Sequence, residues 1–80
     1  MIQIHRRRRL TNNHGAISKW YIAESEEGTQ VNILMRYKRG HRRYRVGPAD
    51  WPVVQWENHD TMKEAADAAR RMIRELEGEL

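Results

Sequence analysis

Apolar and polar residues alternate from Asn32 to Val46, and apolar residues then recur at three- and four-residue steps from Met62 to Leu76. The first rhythm predicts strands and the second a helix. Side chains change face at every step of a strand but return to one face each turn of a helix. Arg39-Gly40 interrupts the alternation, and glycine supplies the positive φ that a two-residue hairpin loop requires. Lys38 then opposes His41, Tyr37 opposes Arg42, Arg36 opposes Arg43, and the ladder continues through Met35–Tyr44, Leu34–Arg45 and Ile33–Val46. One face collects Ile33, Met35, Tyr37, Tyr44 and Val46. The other collects Arg36, Lys38, His41, Arg43 and Arg45.

Upstream, residues 16–24 (A-I-S-K-W-Y-I-A-E) predict a strand, and S-E-E-G at 25–28 a four-residue connection to the strand over 29–38. Pairing Glu24 with Thr29 sets Ile22 against Val31, Trp20 against Ile33 and Ser18 against Met35, on the face of Tyr44 and Val46. Ile17, Lys19 and Tyr21 then join the arginine face, although a slip of one residue would invert the whole strand. Pro48 and Pro52 bracket a loop, with Trp51 folded over a core edge. Residues 53–56 form either a short fourth strand or an extended lead into the helix.

Thr61-Met62-Lys63-Glu64 matches the capping box that opens a helix, and Gly78 stops it near Glu77. Met62, Ala65, Ala66, Ala69, Met72, Ile73 and Leu76 make one apolar stripe. On the polar side, Asp67–Arg71 and Arg71–Glu75 are spaced for intrahelical ion pairs. A lone amphipathic helix beside a meander has one place to go, across its apolar face. The predicted fold is therefore α+β: a three-stranded antiparallel β-meander, four-stranded if residues 53–56 join it, packed on one face by a single C-terminal α-helix. Residues 16–80 form that single domain. Residues 1–15 open on I-Q-I, a short-strand candidate, but Arg6, Arg7, Arg8 and Arg9 repel one another and predict a flexible basic arm.

Charge sharpens this picture. Residues 1–46 carry eleven Lys/Arg against three Glu, and residues 47–80 carry four against eight acids, so a half of +8 is joined to a half of −4. That asymmetry points to nucleic acid or another acidic partner. With 80 residues and no cysteine, the core receives no help from disulfides or cysteinyl zinc, which suits a reducing, cytoplasmic setting. No apolar run is long enough to span a membrane, and the first ten residues lack the apolar stretch of a signal peptide.

Catalytic chemistry finds little footing. Glu57, His59 and Asp60 cluster, but Asp60-Thr61 is explained by helix initiation, and one histidine does not make a site. His5, His14 and His41 lack metal-ligand spacing, and there is no phosphate-binding glycine loop. No catalytic residue, metal or cofactor is expected. Trp20, Trp51 and Trp56 read as core or core-rim residues, whereas Tyr21 lies outward beside Lys19 and Arg36, where it could stack on a base.

The stretch Asp60-Thr61-Met62-Lys63-Glu64-Ala65, together with Lys19-Trp20-Tyr21, resembles the arm-type DNA-binding N-terminal module of phage-type integrases, a three-stranded sheet with a C-terminal helix. The likeness covers residues 16–77 in layout and those two patches in residues. It implies a sheet laid in the DNA major groove, with Lys19, Arg36, Arg43 and Arg45 in contact with DNA. The loop over 47–56 and the Arg6–Arg9 arm depart from that module, and no recombinase catalytic domain accompanies it.

Together these readings predict a small non-enzymatic nucleic-acid-binding protein, with DNA ahead of RNA. Its contacts would come from Arg6, Arg7, Arg8, Arg9, Lys19, Tyr21, Arg36, Lys38, Arg39, Arg42, Arg43 and Arg45. The alternative is a small phage or mobile-element interaction or inhibitor protein, of the anti-CRISPR type, whose basic face engages a host protein or ribonucleoprotein complex. A homodimer joined through sheet edges is a third possibility, opposed by the charges of Lys38 and Arg39 at the turn.

Overall fold

A computed structural model describes residues 1–7 and 19–78, apart from the side chains of Lys38 and Val53. The fold is α+β. Five antiparallel strands, β1 (Gln3–Arg7), β2 (Lys19–Glu24), β3 (Gln30–Lys38), β4 (His41–Gly47) and β5 (Glu57–His59), lie side by side in chain order. One helix, α1 (Met62–Leu76), covers a single face.

The β3–β4 hairpin has the register its turn dictates. Arg39 (φ 51°) and Gly40 (φ 82°) are both left-handed, as a type I′ loop requires. Lys38 therefore pairs with His41, and the ladder runs through Arg36–Arg43, Leu34–Arg45 and Ile33–Val46.

The β2–β3 hairpin differs by one residue from the pairing of Glu24 with Thr29. Gly28 donates to the Ser25 carbonyl at 3.0 Å and Ser25 donates to the Thr29 carbonyl at 3.1 Å, with Gly28 at φ 88°. Glu26, Glu27 and Gly28 thus form a three-residue loop, a turn followed by a left-handed glycine bulge. Glu24 faces Gln30, Ala23 faces Val31, Tyr21 faces Ile33 and Trp20 faces Leu34. Every side chain of β2 is accordingly on the opposite face from that predicted.

Two further expectations are corrected. Residues 3–7 are not a free arm: they form an edge strand paired to β2 from Gln3–Glu24 to Arg7–Trp20. Ile2 and Ile4 pack against the core beneath the helix, and that apolar contact docks the strand despite the arginines that follow; residues 8–15 lie outside the described residues. Residues 53–56, read as either a short fourth strand or an extended lead into the helix, are neither: Val53–Gln55 form a single 3-10 turn, and β5 begins just after it, pairing with Tyr44, Arg45 and Val46.

The core is the seam between sheet and helix. Val31, Ile33, Met35, Tyr44 and Val46 meet Ala65, Ala68, Ala69, Met72 and Ile73, all buried. Alanines let the helix backbone approach the sheet, while Met72 and Ile73 fill the remaining gap. Thr61 caps the helix by accepting from the Glu64 amide at 3.2 Å while its hydroxyl donates to the Glu64 carboxylate at 3.0 Å. Glu77 and left-handed Gly78 close the other end, where the Glu77 carboxylate also accepts from the Ser25 hydroxyl. Leu76, placed in the predicted apolar stripe, is exposed.

Candidate nucleic-acid interface

Because the helix occupies one face, register decides what the other presents. Residues opposite one another in a ladder share a face. Following partners across the sheet, Arg7, Trp20, Leu34, Arg45 and Asn58 form one continuous row on the side away from the helix. Arg36 and Arg43 form the next row toward the β3–β4 turn. On the same helix-free face, in the row farther from that turn, run His5, Ile22, Asn32 and Gly47.

This helix-free face is divided in two. Toward Gly47 it is closed: a β-carbon on Gly47 would lie 2.4 Å from Cγ of Trp56, so the indole rests directly on the glycine backbone. Trp56 donates to the Trp51 carbonyl at 3.1 Å, which curls the proline-bracketed loop back over the sheet. Ile22, Asn32 and Trp56 are buried there.

Toward the turn the face is open and cationic. Arg36, Arg39, His41, Arg43 and Arg45, with Asn58, line an open depression of about 630 Å³. Arg43 makes a long contact with Asp60 at 3.7 Å, both side chains being exposed. Arg45 donates to the neutral Asn58 amide oxygen at 3.3 Å. Arg36 and Arg39 have no ion pair among the described residues. Most of this positive charge is therefore uncompensated, and like charges opposed across a ladder, as Arg36 and Arg43 are, destabilise the sheet.

Not every predicted contact belongs to this surface. Lys19 and Tyr21 face the helix side, opposite Met35 and Ile33, and Tyr21 packs against the core; the register shift carries both off the basic face. Arg6 lies on that same side, opposite Tyr21. Arg42 does too. Its Nε donates to the Tyr37 hydroxyl at 3.2 Å, a bond that raises the guanidinium pKa. Arg7, Arg36, Arg39, Arg43 and Arg45 are the predicted cations that the helix-free face and its turn bring together. Arg8 and Arg9 lie outside the described residues, as does the Lys38 side chain.

The aromatic on the basic face is Trp20 rather than Tyr21. The Arg7 guanidinium sits 4.3 Å from its ring centroid, and its indole N–H donates to Asn32 Oδ1 at 2.9 Å. The S-E-E-G turn is the sequence signal that would have revealed this, because a left-handed glycine at its fourth place shortens the loop to three residues.

Elsewhere, Glu57 accepts from Arg71 Nη2 at 2.5 and 2.6 Å and from His59 at 3.0 Å, tying β5 to the helix. The Arg71 hydrogen bond holds the Glu57 carboxyl below its ordinary pKa. Asp67, expected to pair with Arg71, pairs with Arg70 at 3.3 Å. Among the described residues there is no cluster of three or more potential metal ligands, and no helix is long and apolar enough to cross a membrane. No family model, curated protein or solved structure matches the chain.

Proposed function

We propose that this protein binds nucleic acid through the helix-free face of its sheet, with Arg36, Arg39, Arg43, Arg45 and Arg7 as the phosphate contacts. The observation that carries the proposal is the depression lined by arginines, opposite the helix, where among the described residues the exposed Asp60, 3.7 Å from Arg43, is the carboxylate paired with them. A fold that tolerates Arg36 facing Arg43 gives up stability in the free state, and phosphates at those positions would recover it. Guanidinium groups suit the role because their planar donors meet two phosphate oxygens at once.

The test is a salt titration of binding to single-stranded and duplex DNA and to RNA. With about five phosphates neutralised, affinity should fall roughly 500-fold between 50 and 200 mM salt on a duplex. Alanine at both Arg43 and Arg45 should reduce the slope of log K against log salt by about two while the domain stays folded. A salt-independent affinity, or no binding at low salt, would refute the proposal and leave these cations to an acidic protein surface.

A further inference from the structure

Resting on that reading, we infer that the ligand is single-stranded and that one unpaired base stacks on the Trp20 indole, taking the place of Arg7. The Arg7 guanidinium already lies over the ring at 4.3 Å, so this face of the indole stands clear of the sheet and accepts a planar group. The ring cannot swing freely, because its N–H is held by buried Asn32. Little side-chain freedom remains to be lost when a base arrives.

The exchange favours the base. An exposed arginine over a ring contributes about two- to fivefold to an equilibrium, whereas stacking one base on an aromatic side chain contributes about 5- to 150-fold. The displaced Arg7 is exposed on an edge strand and free to turn to a phosphate.

Position supports the same conclusion. Trp20 shares its row with Arg45 and stands diagonally from Arg36. With strands about 4.8 Å apart and about 3.3 Å per residue along each, the Cα atoms of those arginines lie roughly 8–10 Å from that of Trp20. That is the reach from a base to the phosphates flanking its own sugar. An intact duplex keeps both faces of each internal base inside its stack and offers nothing for this ring.

Anisotropy titrations with a roughly 12-nucleotide oligothymidylate, which does not pair with itself, and with a duplex of equal length test the idea. Trp20→Leu should weaken oligothymidylate binding about 5- to 150-fold, the range of one stacked base. Trp20→Phe should retain most of the affinity, and neither should alter duplex binding or the salt slope, since no charge is removed. In the unmodified protein the Trp20 indole N–H resonance, identified by its loss in Trp20→Phe, should move on adding oligothymidylate and stay put on adding duplex. This second readout does not depend on the leucine variant folding. Unchanged affinity of Trp20→Leu, equal losses for both ligands, or a Trp20 resonance that stays still at saturation would overturn the inference. Salt-sensitive binding with a silent Trp20 would leave the broader proposal intact, whereas no binding of either ligand would remove both.

Discussion

Replacing Arg36 by glutamine should strengthen the fold and weaken the proposed nucleic-acid binding. Arg36 faces Arg43 directly across the β3–β4 ladder and has no ion pair of its own among the described residues. Two unit charges about 7 Å apart in water repel by roughly 0.6 kcal/mol, and opposed like charges destabilise a sheet. Glutamine keeps much of the aliphatic stem, so the loss of packing is small. Relieving about 0.5 kcal/mol should raise the melting temperature by roughly 2–4 °C in a domain of this size. The gain should disappear in about 1 M salt, where the Debye length shrinks to about 3 Å. Over the same substitution, the slope of log K against log salt should fall by about 0.9 for a duplex ligand, one phosphate contact having gone. Thermal melts at low and high salt, with a binding titration on the same samples, provide the measurement. A variant that melts lower than the parent would mean Arg36 is held by contacts that outweigh its repulsion. A stabilised variant with unaltered nucleic-acid affinity would show that the charge has no ligand on this face.

Other consequences test the scaffold. Gly47→Ala would drive a methyl group into the Trp56 ring, costing about 1–3 kcal/mol in overpacking and roughly 1 kcal/mol more if the bond to Trp51 is lost. An unchanged melting temperature and unshifted tryptophan fluorescence would show that the indole does not rest there. Glu57 has its folded-state pKa lowered by Arg71, so the stability it contributes is complete above the unfolded carboxyl value and vanishes as pH falls through the lowered folded value. With Glu57 and Arg71 about 36% and 48% exposed, screening limits that contribution to about 0.5–1 kcal/mol. Glu57→Gln should therefore melt lower at neutral pH and draw closer to the parent as the pH falls below the ordinary carboxyl range, whereas a penalty that stays constant into acid would assign the effect to shape rather than charge.

Some of this protein is written in short stretches of sequence. Arg39-Gly40 determines the β3–β4 register because the twist of a two-residue loop demands left-handed residues at both places. Arg36, Arg43 and Arg45 fall on one face as a direct consequence. Thr61 and Glu64 determine where the helix begins, since both partners of the cap lie within one turn. Each of these signals is complete within a few residues of where it acts.

What tertiary structure decided is which residues accompany those arginines. One residue more or less in the Ser25–Thr29 turn exchanges Tyr21 for Trp20 on the basic face; the glycine at its fourth place favours the shorter loop, and the pairing of β2 with β3 fixes it. Arg7 reaches that indole because Ile2 and Ile4 find an apolar shelf on the finished sheet, a contact between segments far apart in the chain. The loop carrying Trp56 likewise closes half of the helix-free face by settling on Gly47, a fit that exists once β4 has already formed. Registers and docked edges depend on contacts distant in sequence, so they become visible when the chain has folded.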